Sequence, residues 1–163
     1  DRGFALYKGK TGIGYLETKE HIAEWLTVTE EILQEREAQF LQMIGEKSPV
    51  LEGFEPIVLM IDGLARFQQT IDSTLQERIA SFMKKYSHLG FRLIVSGNAT
   101  EFSKGFDSLT NEIKQIRQAL ILMKKLEQNL FPLPFSRKEG EIQPGFGYFV
   151  LNGQEHKIQI PQC

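Results

Sequence analysis

A chain of 163 residues with 41% hydrophobic and 25% charged residues has the make-up of one ordinary globular domain, able to bury roughly two thirds of the surface its unfolded form exposes. That balance excludes collagen-like, disordered and disulfide-scaffold classes. Nineteen basic against twenty-one acidic residues leave a net charge of −2, which argues against a broad, sequence-independent grip on the phosphate backbone, so no nucleic acid is expected as a partner. The single cysteine, Cys163, cannot close an intrachain disulfide, and His21, His88 and His156 share no ligand spacing, so a reducing compartment and no metal site are the expectation. The chain opens on Asp1, as a processed or excised piece would, and no apolar run approaches the length of a membrane span.

Gly9-Lys10-Thr11 has the look of the end of a phosphate loop, but the glycine required five residues earlier is Phe4, so a glycine-rich turn is the better reading. From Thr18 to Ile44 three- and four-residue steps predict a helix, with Trp25, Val28, Ile32, Phe40 and Met43 facing inward. Thr27 and Glu30 have capping-box spacing, which predicts a break into two helices near Thr27, and Gly45 with Pro49 ends the second. Ile57 to Ile61 is an unbroken apolar run closed by Asp62, the pattern of a strand covered on both faces in a parallel sheet. Asp72 and Ser73 open a helix with the stripe Leu75, Ile79, Phe82, Met83 and Tyr86, ended by Gly90. A strand over Phe91 to Ser96, a broken helical region over Ser108 to Arg117 and a strand over Ala119 to Met123 follow. Strand, helix, strand, helix, strand predicts an α/β fold with a mostly parallel sheet flanked by helices. Phe131 to Pro144, with three prolines, is a long loop, and Gly147 to Val150 with His156 to Ile160 form a β-hairpin around Asn152-Gly153.

Chemistry concentrates at the strand ends, where parallel sheets hold their ligands. Ile57 to Asp62 has the form of a Walker B strand, whose carboxylate would hold Mg²⁺; the alternative is an Asp that caps the next turn. Gly63 has no side chain to orient an attacking water, so efficient catalysis is not expected and no residue is assigned as catalytic. Ser96-Gly97-Asn98 could sense a phosphate or simply make the turn into the next helix. Phe131, Leu133, Phe135, Phe146 and Tyr148 form either an exposed binding cluster for the apolar face of a partner helix or a cover over the sheet edge.

Four longer strings carry a resemblance: Pro56 to Asp62 (PIVLMID), Leu89 to Asp107 (LGFRLIVSGNATEFSKGFD), Leu122 to Glu139 (LMKKLEQNLFPLPFSRKE) and Pro144 to Pro161 (PGFGYFVLNGQEHKIQIP). From about Thr27 onward the chain resembles the carboxyl-terminal part of the last ATPase-like domain of EssC-type proteins, membrane-anchored FtsK/SpoIIIE-family motors of the Gram-positive type VII secretion system. The resemblance implies that residues 1–163 are the carboxyl-terminal part of one RecA-like P-loop NTPase domain, with the P-loop segment upstream of them. It also implies a place on the cytoplasmic side of the cell membrane and membership of a hexameric motor. Asp62 matches the family's Walker B Asp, Gly63 stands where competent members carry Glu, and Ser96 and Asn98 fall at the sensor position. Gly145-Phe146-Gly147 matches a Pro-Gly-x-Gly strand near the nucleotide, with Phe146 where many members have Arg. The implied role is a degenerate module with weak or no hydrolysis that recognises WXG100-type secreted proteins and regulates neighbouring ATPase domains of its own chain. ATP with Mg²⁺ would belong to the complete domain, and no cofactor to this segment.

Overall fold

The computed structural model describes residues 7–45, 53–134 and 139–160. They form an α/β fold in two compact units, one of the residues up to Leu59 with Gln68–Leu93, the other of Met60–Phe67 with the residues from Ile94 on.

The first unit is built on two helices. Helix α1 spans Lys19–Gly45 without interruption, and the predicted break at Thr27 does not occur. The Thr27 hydroxyl instead donates to the carbonyl of Ala23, 3.0 Å away, so it bonds back into its own helix rather than capping a new one. The inward face also differs from the expected one: Ile22, Leu26, Thr29 and Leu33 are buried, while Val28 and Ile32 are exposed. Apolar residues occur on two adjoining faces of this helix, and spacing by itself does not say which of them meets the rest of the unit.

Helix α3, Ser73–Tyr86, begins as expected. Asp72 accepts from the Leu75 backbone N–H at 3.0 Å and closes the first turn. Leu75, Ile79, Phe82 and Tyr86 are buried along one side. Phe82 stands edge-on to both Tyr86 and Phe91, with centroids 5.5 Å apart in each pair. A 3₁₀ turn, Ser87–Leu89, leads to Gly90, whose φ of 94° is the left-handed stop that glycine adopts without strain. A Cβ there would also lie 3.0 Å from the Glu55 carbonyl oxygen. That oxygen and the one of Leu89 are both taken by Arg36 Nη1, at 2.7 and 3.0 Å. Arg78 clasps Glu30 through Nε and Nη2 at 3.1 and 2.6 Å.

Strands β1, Ile57–Ile61, and β2, Phe91–Val95, pair with each other. Bonds from the Ile57 N–H to the Gly90 carbonyl and from the Ser96 N–H to the Ile61 carbonyl fix a parallel register, as expected for strands joined through helices. Burial alternates along β1, with Leu59 and Ile61 buried while Val58 and Met60 are exposed. The expected cover on both faces is therefore present on one.

In the second unit, α2 (Leu64–Thr70, of which the residues to Phe67 belong here), α4 (Ala99–Lys104) and α5 (Ser108–Ile113) are short. The sequence reading had not foreseen α2. Asp107 caps α5 through the Thr110 N–H at 2.8 Å and its hydroxyl at 2.7 Å. Strand β3, Gln118–Ile121, runs antiparallel to β4, Phe146–Leu151, which runs antiparallel to β5, Gln154–Gln159. Asn152 and Gly153, at φ 51° and 80°, make the tight hairpin turn that the sequence announces.

This arrangement corrects the expectation of a mostly parallel sheet. Among the described residues one strand pair is parallel and two are antiparallel, in separate sheets. The third predicted strand joins the hairpin because its inward residues, Ala119 and Ile121, meet Val150 and Tyr148 across the ladder and share their core.

Candidate functional site

The ends of β1 and β2 in the second unit bring together Asp62, Gly63 and Ser96, three of the four residues singled out at the strand ends. Ser96 Oγ donates to Asp62 Oδ1 at 3.0 Å and accepts from the Gly63 N–H at 3.0 Å. Its backbone binds on both sides of the same loop, from N–H to the Ile61 carbonyl and from carbonyl to the Leu64 N–H, each at 2.9 Å. Ser96 thus ties the loop after one strand to the loop after the other. Asp62 is solvent-exposed.

Gly63 has φ +85°, a conformation that side-chain-bearing residues adopt only with strain. Glycine here answers a backbone requirement and leaves the position after Asp62 without a side chain. Its carbonyl accepts from the Phe67 N–H at 3.1 Å, so Gly63 begins the turn that becomes α2.

Asn98 occupies the capping position of α4, but its side chain caps nothing. Nδ2 donates instead to Glu101 Oε1 at 3.1 Å, while Glu101 Oε2 accepts from the Ala65 N–H at 3.4 Å. Glu101 is the residue that sequence reasoning missed, and it joins the loop after β2 to the start of α2. The three-residue interval from Asn98 to Glu101 is a capping-box spacing and could have revealed it. Gly97 completes the arrangement, since a Cβ there would come within 2.7 Å of Glu101 Oε2.

The chemistry open to this site follows from its donors. The Asp62 carboxylate and Ser96 hydroxyl are hard oxygen ligands of the kind Mg²⁺ takes, usually together with water and substrate phosphates. No group of three or more His, Cys, Asp or Glu residues placed to hold a metal occurs among the described residues. At Gly9-Lys10-Thr11 the chain makes successive turns, with Lys10 N–H bonded to the Tyr7 carbonyl and Ile13 N–H to the Lys10 carbonyl, both at 3.1 Å.

Of the two readings of the aromatic cluster, cover over the sheet is the one that Phe131, Leu133 and Tyr148 follow. Leu133 and Tyr148 are buried with Ile121 and Val150, and Phe131 packs against that cluster. Gln128 folds the segment back, its Oε1 accepting from the N–H groups of Leu130 and Phe131 at 3.0 and 2.9 Å and its Nε2 donating to the Phe131 carbonyl at 3.0 Å. A proline-rich stretch has few backbone donors to satisfy, and one side-chain amide meets much of the demand. Phe135 lies outside the described residues. Phe146, half-buried, lines an open groove of about 370 Å³ together with Leu122, Ile142, Pro144 and Ile160.

Tyr148 also donates from its hydroxyl to Glu139 Oε1 at 2.5 Å. That bond, with burial, pushes the phenol's pKa up to about 12 from 10.0. A raised phenol pKa means that the stabilisation from this bond is fully present below pH 10 and is lost as pH rises towards 12. Spectrophotometric titration is expected to show one tyrosine ionising about two pH units later than free tyrosine, and Tyr148→Phe to remove it; a normal titration in the native protein would contradict the assignment.

No protein-family model matches the chain. It is 55% identical over all 163 residues to the ESX secretion system protein YukB of Bacillus subtilis (strain 168), and 52% identical over 162 residues to the ESX secretion system protein EccC of Geobacillus thermodenitrificans (strain NG80-2). Among solved structures, the cytoplasmic domain of EssC superposes with a TM-score of 0.95 at 52% identity over 99% of this chain. The chain is of the EssC type. A structure of EssC ATPases 2 and 3 from Geobacillus thermodenitrificans agrees, with a TM-score of 0.90, again at 52% identity over 99% of the chain. This EssC-type chain spans 11% of the length of each curated relative, and 32% and 30% of the two solved chains. No helix among its described residues is long and apolar enough to cross a membrane.

Proposed function

We propose that this chain is the carboxyl-terminal part of a degenerate, RecA-like FtsK/SpoIIIE-type ATPase domain, the last in a membrane-bound type VII secretion motor. Its role is to recognise substrate and regulate the motor, with weak or no hydrolysis of its own. The observation that carries this reading is Gly63 at φ +85° directly after Asp62, where a hydrolase would place a water-orienting carboxylate. A general base typically contributes about 10²–10⁴-fold in rate, so a domain without one turns over slowly even with nucleotide bound. In the complete domain Asp62 and Ser96 would hold Mg²⁺, which would supply charge neutralisation for a bound ATP. The proposed partners are WXG100-type secreted proteins and the neighbouring ATPase domains of the same polypeptide, in a hexamer on the cytoplasmic side of the membrane. The open groove beside Phe146 is the apolar surface through which a substrate helix would engage.

Calorimetric titration of the complete domain with Mg-ATP, alongside a turnover assay, tests the reading. Measurable binding that Asp62→Ala weakens by tenfold or so, the loss of one charged ligand, is expected together with negligible phosphate release. Turnover near the roughly 1–100 s⁻¹ of kinases would refute it. No binding at all would leave an interaction domain without a nucleotide site.

A further inference from the structure

We propose that Glu101 is an internal competitor for the terminal phosphate of a nucleotide at the site of Asp62 and Ser96, and that it sets how well this site tells a triphosphate from a diphosphate. This role rests on the nucleotide reading of Asp62 and Ser96 given above. Every group it involves belongs to the second unit.

Asn98 stands two residues after Ser96 and is exposed. An Asn at the capping position of a helix normally turns its side-chain oxygen to the free N–H groups of the first turn. Asn98 does not: its side chain makes no cap, and its backbone carbonyl accepts from the Glu101 N–H at 2.9 Å. Nδ2 donates instead to Glu101 Oε1, at 3.1 Å. The Asn98 amide thus already holds an anion, and the chain itself supplies it.

Gly97 makes the place in which that carboxylate lies. A Cβ there would come 2.7 Å from Glu101 Oε2 and 3.1 Å from the Phe102 ring, and the backbone of Gly97 is not left-handed, so space rather than a backbone angle calls for glycine. The carboxylate is lightly held in it. Oε2 accepts from the Ala65 N–H at 3.4 Å, beyond the roughly 2.7–3.2 Å of an ordinary bond. Glu101 is also only partly buried, so its carboxylate can exchange these contacts for water at small cost.

The same space and the same amide suit a phosphate oxygen. An Asn amide has a second N–H, but a phosphate bound there would stand across one nitrogen from the Glu101 carboxylate, and like charges that close repel. A triphosphate therefore has to displace Glu101. A diphosphate, which lacks the terminal group, does not.

Mg-ATP and Mg-ADP titrated separately into the full-length protein test the proposal, with binding at this site read by hydrogen exchange in peptides covering residues 94–104. Glu101→Gln keeps the size of the side chain and removes its charge. It is expected to tighten Mg-ATP about tenfold, the scale of one hydrogen bond to a charged group, and to leave Mg-ADP within about twofold. Glu101→Ala, which also removes the acceptor, should tighten Mg-ATP at least as much. On an Asn98→Ala background the gain from Glu101→Gln should largely disappear, since the contested donor is gone. Binding that Glu101→Gln leaves unchanged, or tightens equally for ATP and ADP, overturns the proposal while the nucleotide reading stands. A gain that survives intact on the Asn98→Ala background overturns it too, because the carboxylate then acts by charge alone. Protection by neither nucleotide, in the native protein or in Glu101→Gln, overturns the nucleotide reading and this proposal with it. Should Glu101→Ala fail to fold, the isosteric Glu101→Gln decides.

Discussion

Phe82→Ala is expected to destabilise the first unit by about 3–5 kcal/mol, the cost of deleting a ring from a core that cannot collapse around the void. Phe82 is 1% exposed and contacts two further rings, Tyr86 on its own helix and Phe91 at the start of β2. Removing it thus leaves both neighbours without their edge-on partner. Each such ring pair contributes about 0.5–1.5 kcal/mol beyond simple burial. For a chain of this size the thermal midpoint should fall by about 2–4 °C for each kcal/mol, and Phe82→Leu should recover part of the loss by refilling volume. A midpoint unchanged within a degree or so would mean that the three rings do not form the centre of the unit.

Gly63→Glu, the substitution that would install the absent carboxylate, is expected to destabilise the protein without restoring hydrolysis. With φ at +85°, any Cβ incurs the left-handed strain of about 1–2 kcal/mol. A Cβ built there meets no atom within 4 Å, so the cost is in the backbone rather than in a clash. Gly63→Ala is therefore expected to lose as much stability as Gly63→Glu, which thermal melting of the two variants would check. The side chain of a left-handed residue also leaves the backbone in a different direction from that of an extended one, so the new carboxylate would not stand where a strand-end Glu stands. A Gly63→Glu variant of the complete domain that was both fully stable and active in phosphate release would show the loop to be freer than its bonds to Ser96 suggest.

Local chemistry was legible wherever one short-range interaction decides a boundary. Asp72 caps α3, Gly90 stops the helical segment after it, and Asn152-Gly153 turns the hairpin, because each of these depends on a few consecutive backbone angles. The relation of Asp62 to Ser96 was legible as a pair of strand ends, although not as a hydrogen bond between residues thirty-four positions apart. The inward face of α1, the α2 turn and the contacts of Glu101 were not legible, since each depends on what lies opposite in space.

By itself the sequence determined an α/β chain, the cap of α3, the stop at Gly90, the turn of the hairpin, and a strand-end carboxylate followed by a residue without a side chain. Tertiary structure alone decided which of two apolar faces of α1 turns inward, that β3 pairs with the hairpin, and that Leu133 and Tyr148 serve as core. The physical reason is that hydrogen bonds within a turn are set by neighbours along the chain, whereas burial is non-directional and settles on whichever arrangement removes the most apolar surface from water. Several arrangements of the same pattern satisfy the local rules, and only packing selects among them.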